Sequence, residues 1–184
     1  METGEEKRGW RPAVFLDRDG VLSVEDGYIS SVENLSIFPY TRECIRQIHN
    51  KGYYAIVITN QSGVARGLFT EEILQEMNDY LISQTGIDAV FYCPHHPEGK
   101  MEKYRKMCHC RKPRTGMFEA ACQRFKINME KSYMVGDRAS DIEAGQKAGV
   151  RTILLESGYG TAELEYAIFP DYIFNDLRDV IKIL

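Results

Sequence analysis

The chain lacks the marks of several protein classes. It has no internal repeat and no low-complexity linker, and no apolar run reaches the roughly 20 residues of a membrane span. Residues 1–10 are mostly polar and carry no signal-peptide core, so a cytoplasmic protein is expected. Cysteines number only five; in a cytoplasmic chain they point to metal ligation or isolated thiols, away from a disulfide framework. Positive charge is not in excess: 23 Lys and Arg against 27 Asp and Glu leave a net charge of −4. That balance suggests neither nucleic acid nor an anionic membrane as a partner. What is present is ordinary for a globular protein, at 43% hydrophobic and 27% charged residues, and 184 residues suit one domain, 1–184, with a full core. A monomer is expected.

Short apolar runs at 14–16, 54–58, 89–92, 133–135 and 152–155 read as strands buried on both faces. Helical periodicity fills the gaps: 41–51 aligns Cys44, Ile45 and Ile48; 71–84 aligns Ile73, Leu74, Met77 and Leu81; 117–125 aligns Phe118, Ala121, Cys122 and Phe125; Ala139–Ala148 is closed by Gly149. Ile173 and residues 176–184 are expected to add an edge strand and a last helix. The alternation predicts an α/β fold, a doubly wound and mainly parallel Rossmann-like sheet.

Ligands of such sheets bind beyond the carboxyl ends of the strands. The first run ends in Asp17-Arg18-Asp19-Gly20, the second in Thr59-Asn60-Gln61-Ser62-Gly63, the fourth in Gly136-Asp137-Arg138. Extended backbone puts residues i and i+2 on one side, so Asp17 and Asp19 crowd one spot, which is costly without a cation or proton. The plainer reading is a solvated turn. Asp17, Asp19 and Asp137 are hard oxygen donors of the kind magnesium takes. Asp141 reads equally as a group orienting a metal-bound water and as one favouring a helix N-terminus. Thr59 offers a hydroxyl, and Asn60 to Gly63 either present N–H groups to an anion or merely turn the chain. Lys112 and Arg111 read either as solvated surface or as fixed cations for phosphate. The inventory suits phosphoryl transfer to a carboxylate, with a second carboxylate handling protons.

Cys93, His95, Cys108 and Cys110 bracket a polar loop, 93–112, and would make a closed, structural Cys3His zinc site stapling it. The alternative is free cysteines with solvated histidines. His96 and His109 read as bystanders; Cys44 and Cys122 read as core.

These residues carry a resemblance to the haloacid dehalogenase superfamily of aspartate-nucleophile phosphatases. Phe15-Leu16-Asp17-Arg18-Asp19-Gly20 resembles its first motif, Ile58 to Gly63 its second, Arg111-Lys112-Pro113 its third and Val135 to Asp141 its fourth. The resemblance implies Asp17 as nucleophile, Asp19 as general acid/base, Thr59 and Lys112 as phosphate holders, and magnesium on Asp17, the Asp19 carbonyl and Asp137. Only about twenty residues separate Asp19 from the first helix, too few for a cap domain. Cys93-Pro94-His95-His96-Pro97 with Cys108 to Pro113 resembles the histidinol-phosphatase-related subfamily. By that resemblance Glu25, Asp26, Gly27 and Tyr28 contact a sugar. Asn60, Gln61, Ser62 and Arg66 line the substrate, and Arg111 and Arg138 supply further cations. Thr115 is expected to cap the following helix. A sugar bisphosphate fits better than histidinol phosphate, which is cationic with one phosphate. A zinc-stapled module without catalysis would require loss of Asp17, Asp19, Lys112 or Asp137, and all four are there.

Overall fold

The computed structural model describes residues 9–164 and 168–184. Six strands form one sheet: β1 (Ala13–Leu16), β2 (Tyr54–Asn60), β3 (Ala89–Cys93), β4 (Tyr133–Gly136), β5 (Arg151–Leu155) and β6 (Tyr172–Phe174), in the order β3-β2-β1-β4-β5-β6. Every pairing is parallel, so the sheet is wholly rather than mainly parallel. The helices are α1 (Thr41–Asn50), α2 (Glu71–Thr85), α3 (Gly116–Arg124), α4 (Ala139–Ala148) and the short α5 (Leu177–Val180).

Strand alternation divides the core in two. Val14 and Leu16 of β1 face one way and pack with α1, α2 and α5 through Ile45, Ile48, Leu74, Met77 and Leu177. Ala13 and Phe15 face the other way and pack with α3 and α4 through Phe118, Ala121 and Ala144. Phe15 meets Phe118 edge-on at 4.7 Å between ring centroids, a favoured aromatic geometry. The chain moves from β1 outward to β2 through α1 on one face, and from β4 outward to β5 through α4 on the other. The order therefore reverses between β1 and β4, and a crevice opens at their carboxyl ends. Leu16 pairs with Val135, so Asp17 and Asp137 leave the sheet side by side.

Helix ends explain the boundaries. Thr70 caps α2, its hydroxyl accepting from the Ile73 N–H at 3.3 Å, and Gly86 closes it at φ 82°. Three expectations need correction. Cys122 is exposed rather than core; the buried stripe of α3 is Met117, Phe118 and Ala121. Periodicity names a helix face without saying how far the sheet reaches across it. Thr115 stands at the head of α3 but makes no side-chain cap; its hydroxyl donates to Glu119 at 2.7 Å. The last helix covers only Leu177–Val180, with Asp176 accepting from the Arg178 N–H at its start. Among the described residues no helix is long and apolar enough to cross a membrane.

Candidate active site

The residues after β1, β2 and β4 line a cavity of about 390 Å³ together with Lys112. Asp17 is 8% exposed, and Asp137 and Asp141 are fully buried. An oxygen from each of these three carboxylates lies within 4.8 Å of the other two. Lys112, 3% exposed, reaches in from the far side, its Nζ 2.6 Å from Asp141, 3.1 Å from Asp17 and 2.8 Å from the Ile58 carbonyl. Burial would strip the lysine of its proton, but Asp141 and Asp17 outweigh it and hold its pKa above the ordinary value. Burial pushes Asp141 up to about 6 while Lys112 pulls against that rise.

Asp137 has no such partner. Burial first, then Asp17 and Asp141, push it up to about 8. One oxygen accepts from the Tyr159 N–H at 3.0 Å; the other, Oδ1, is buried and without a hydrogen-bond partner among the described residues. An orphaned carboxylate oxygen facing a second carboxylate is what a divalent cation would satisfy, and Asp17 with Asp137 supplies the hard donors magnesium needs. Gly20, at φ 80°, and Gly158 pack against Asp137 so closely that a Cβ on either would collide with its carboxylate. The chain thus leaves room for that side chain in one pose only.

The Asp19 carboxylate is not part of this cluster but lines the same cavity. It accepts from Arg18 Nε and Nη2, both at 2.9 Å, from Ser23 Oγ at 3.1 Å and from Gln61 Nε2 at 3.1 Å. The expected magnesium contact was through the Asp19 carbonyl, so this pose does not conflict with it. Thr59 is 1% exposed, and its hydroxyl takes a hydrogen bond from Gln61 Nε2 at 3.0 Å. Gln61 and Asn60, expected against substrate, both line the cavity, and their side-chain amides also hydrogen-bond within the protein. Gln61 serves Arg18, Asp19 and Thr59. Asn60 clasps the Lys112 backbone, accepting from its N–H at 3.0 Å and donating to its carbonyl at 3.1 Å. A strand end can offer a side chain to its neighbours as readily as to a ligand, and sequence does not say which.

Glu25, Gly27, Tyr28, Ser62, Arg66, Arg111 and Arg138 line the same cavity. Asp26 does not; it borders an adjacent hollow with Val24 and Phe38. Glu25 lies 3.8 Å from Arg138, whose guanidinium stacks 3.7 Å above the Tyr159 ring. Desolvation, then Asp19, raises the Glu25 pKa. His96, set aside as a bystander, also lines the cavity, and desolvation followed by Arg111 and Arg66 lowers its pKa. Arg18, Tyr159 and His96 drew no role from the sequence. A charged residue inside the Asp17-Arg18-Asp19 string was the available signal for the first; nothing local marked the others.

Cys93, His95, Cys108 and Cys110 converge behind Arg111 and Lys112. Cys108 Sγ is 3.4 Å from both other sulfurs, and His95 Nδ1 is 3.4 Å from Cys110 and 3.7 Å from Cys93. A zinc tetrahedron with Zn–S of about 2.3 Å has S···S edges near 3.8 Å, so the cluster matches such a site closely. Hydrogen bonding from Cys93, then from His95 and Cys108, draws Cys110 down to about 5, while the hydrogen bond with Cys110, then burial, raises Cys93. A thiolate among thiols is ready for a cation. His109 lies outside the cluster, 2.9 Å from Glu119.

The chain is similar to known proteins. Residues 109–180 match the HAD-hydrolase-like family. The chain is 41% identical over 176 residues to the D-glycero-beta-D-manno-heptose-1,7-bisphosphate 7-phosphatase of Escherichia coli O6:H1 (92% of each chain). It is also 41% identical over 170 residues to the D-glycero-alpha-D-manno-heptose-1,7-bisphosphate 7-phosphatase of Photorhabdus laumondii (87% of this chain, 91% of that one). Among solved structures, the D,D-heptose 1,7-bisphosphate phosphatase of B. bronchiseptica, complexed with magnesium and phosphate, superposes with a TM-score of 0.81 at 29% identity, covering 94% of this chain and 97% of that one. This chain belongs to the heptose-1,7-bisphosphate 7-phosphatase family of HAD-like hydrolases, and so to the phosphoric monoester hydrolases.

Proposed function

We propose that the chain removes the C7 phosphate of D-glycero-D-manno-heptose 1,7-bisphosphate through an aspartyl-phosphate on Asp17. The observation that carries this reading is the meeting of Asp17, Asp137 and Lys112 in one cavity at the β1/β4 crevice. Asp17 attacks phosphorus, and the bond from phosphorus to the C7 oxygen breaks while Asp19 donates a proton to that oxygen. Asp19 then takes a proton from the water that attacks the phosphoryl group, and the bond to Asp17 breaks, releasing inorganic phosphate. Lys112 and the Thr59 hydroxyl hold the phosphoryl oxygens. Magnesium on Asp17, Asp137 and the Asp19 carbonyl would supply positive charge against those oxygens. Arg66, Arg111 and Arg138 line the cavity as cations for the second phosphate, which favours a bisphosphate over histidinol phosphate. The heptose 1-phosphate left behind suits nucleotide-heptose biosynthesis. The enzyme then works as a single capless domain, 1–184, a monomer in the cytoplasm on a small-molecule substrate. The test is a panel of both heptose bisphosphate anomers and histidinol phosphate ranked by kcat/KM. A heptose anomer should lead; a lead for histidinol phosphate overturns the substrate while leaving the chemistry standing.

The same reading assigns zinc to Cys93, His95, Cys108 and Cys110, where it holds the loop that presents Arg111 and Lys112. Removing zinc should speed amide exchange across 94–110 by at least about tenfold. Turnover should fall more than magnesium affinity changes. Unchanged turnover in verified zinc-free protein would defeat this assignment.

A further inference from the structure

We propose that Arg18 is a positioning residue for the proton-transfer step, fixing the Asp19 carboxylate through a ring of hydrogen bonds that Gln61 closes. The inference rests on the reading of Asp19 as general acid/base.

Arg18 is 1% exposed. Burying a guanidinium costs several kcal/mol, and an apolar side chain of similar volume commonly gives a more stable protein. Nor is its hydrogen bonding complete: Nη1 is buried with no partner among the described residues. Stability alone therefore does not account for the residue. What Arg18 does is grip its neighbour. Nε donates to Asp19 Oδ1 and Nη2 to Oδ2, both at 2.9 Å, a planar fork that sets the plane of the carboxylate. Ser23 Oγ at 3.1 Å and Gln61 Nε2 at 3.1 Å complete the set. Gln61 Oε1 accepts from Arg18 Nη2 at 3.0 Å, and Gln61 Nε2 also reaches the Thr59 hydroxyl at 3.0 Å. The ring thus ties the end of β1 to the end of β2. Turning Asp19 would break four hydrogen bonds together, so its carboxylate has one orientation. At 14% side-chain exposure it still opens on the cavity.

A general acid must meet the leaving oxygen at hydrogen-bond distance, and misplacement by about 1 Å is worth up to about 100-fold in rate. The loss depends on the leaving group. An alkoxide needs a proton to depart; p-nitrophenolate does not. The experiment compares kcat/KM for the best alkyl phosphate of the substrate panel with that for p-nitrophenyl phosphate, in the parent, Arg18→Met, Arg18→Lys, Asp19→Asn and the Arg18→Lys/Asp19→Asn pair. Asp19→Asn should cut the alkyl value at least about 100-fold and the aryl value far less. Each Arg18 variant should cut the alkyl value at least about tenfold and the aryl value by less than about threefold. Arg18→Lys should add nothing to Asp19→Asn. Arg18→Lys keeps the charge without the fork and carries the test should Arg18→Met not fold. If Asp19→Asn discriminates between the substrates and the Arg18 variants do not, the positioning role is overturned. If Asp19→Asn itself does not discriminate, the acid/base reading fails and this inference with it.

Discussion

Asp17→Asn is expected to fold normally and to lose turnover by at least about 10³-fold, because it removes the attacking oxygen itself. Asparagine keeps the shape of the side chain and an acceptor for the Arg18 N–H, which bonds Asp17 Oδ1 at 2.8 Å. Lys112 retains Asp141 at 2.6 Å, so the cavity wall stays closed. The substitution also takes one charge out of a group of three buried carboxylates, and Asp17 is the largest charge acting against Asp137. The ion-free variant should therefore melt at the parent temperature or above it. Magnesium should raise that temperature less than in the parent, since one hard donor is gone. Phosphate release and thermal melts with and without magnesium measure both effects. Activity within tenfold of the parent would assign the attack to another group.

Lys112→Met should damage both activity and stability. Methionine fills much the same space without charge. Its loss leaves Asp141, fully buried, facing Asp17 with no cation between them. Removing one partner of a buried pair costs about 3–5 kcal/mol, which for a chain of this length lowers Tm by roughly 10 °C. Activity should fall about 10²- to 10³-fold as phosphoryl charge loses its fixed counterion. Adding Asp141→Asn should separate the two effects. The double variant should recover most of the melting temperature, because the stranded charge is gone, and none of the activity. If the double variant instead regains turnover, Lys112 acts only by neutralising Asp141 and does not touch the phosphoryl group.

Much of the fold was readable because its signals are local. Five of the six strands announced themselves as short apolar runs, and α4 was predicted to the residue from its periodicity and Gly149. β2 proved longer than its apolar run, extending through Thr59 and Asn60, because a strand continues as long as its neighbour offers hydrogen bonds: Thr59 and Asn60 pair with Tyr92 and Cys93. Cys122 was misassigned for the opposite reason, since a helix face continues past the edge of what covers it. The four candidate zinc ligands were legible as donors bracketing one polar loop, and the structure brings all four together. Asp141 stood undecided between two roles, and its partner turned out to be Lys112. Asp26 shared a stretch with Glu25 and Tyr28 but faces a different hollow.

The amino-acid sequence alone determined which chemical groups exist and which strand ends carry them: two aspartates after β1, a hydroxyl at the end of β2, an aspartate after β4 and two cations beyond a cysteine pair. Only the tertiary structure decided which charge answers which. Lys112 meets Asp141 because β1 lies between β2 and β4. Arg18 meets Gln61 across 43 residues because β1 and β2 run parallel with Leu16 beside Val57, so both chains leave the sheet on the same side. The physical reason is that apolar periodicity is read within a few residues, whereas the pairing of buried charges follows from strand order and register, which no local spacing contains.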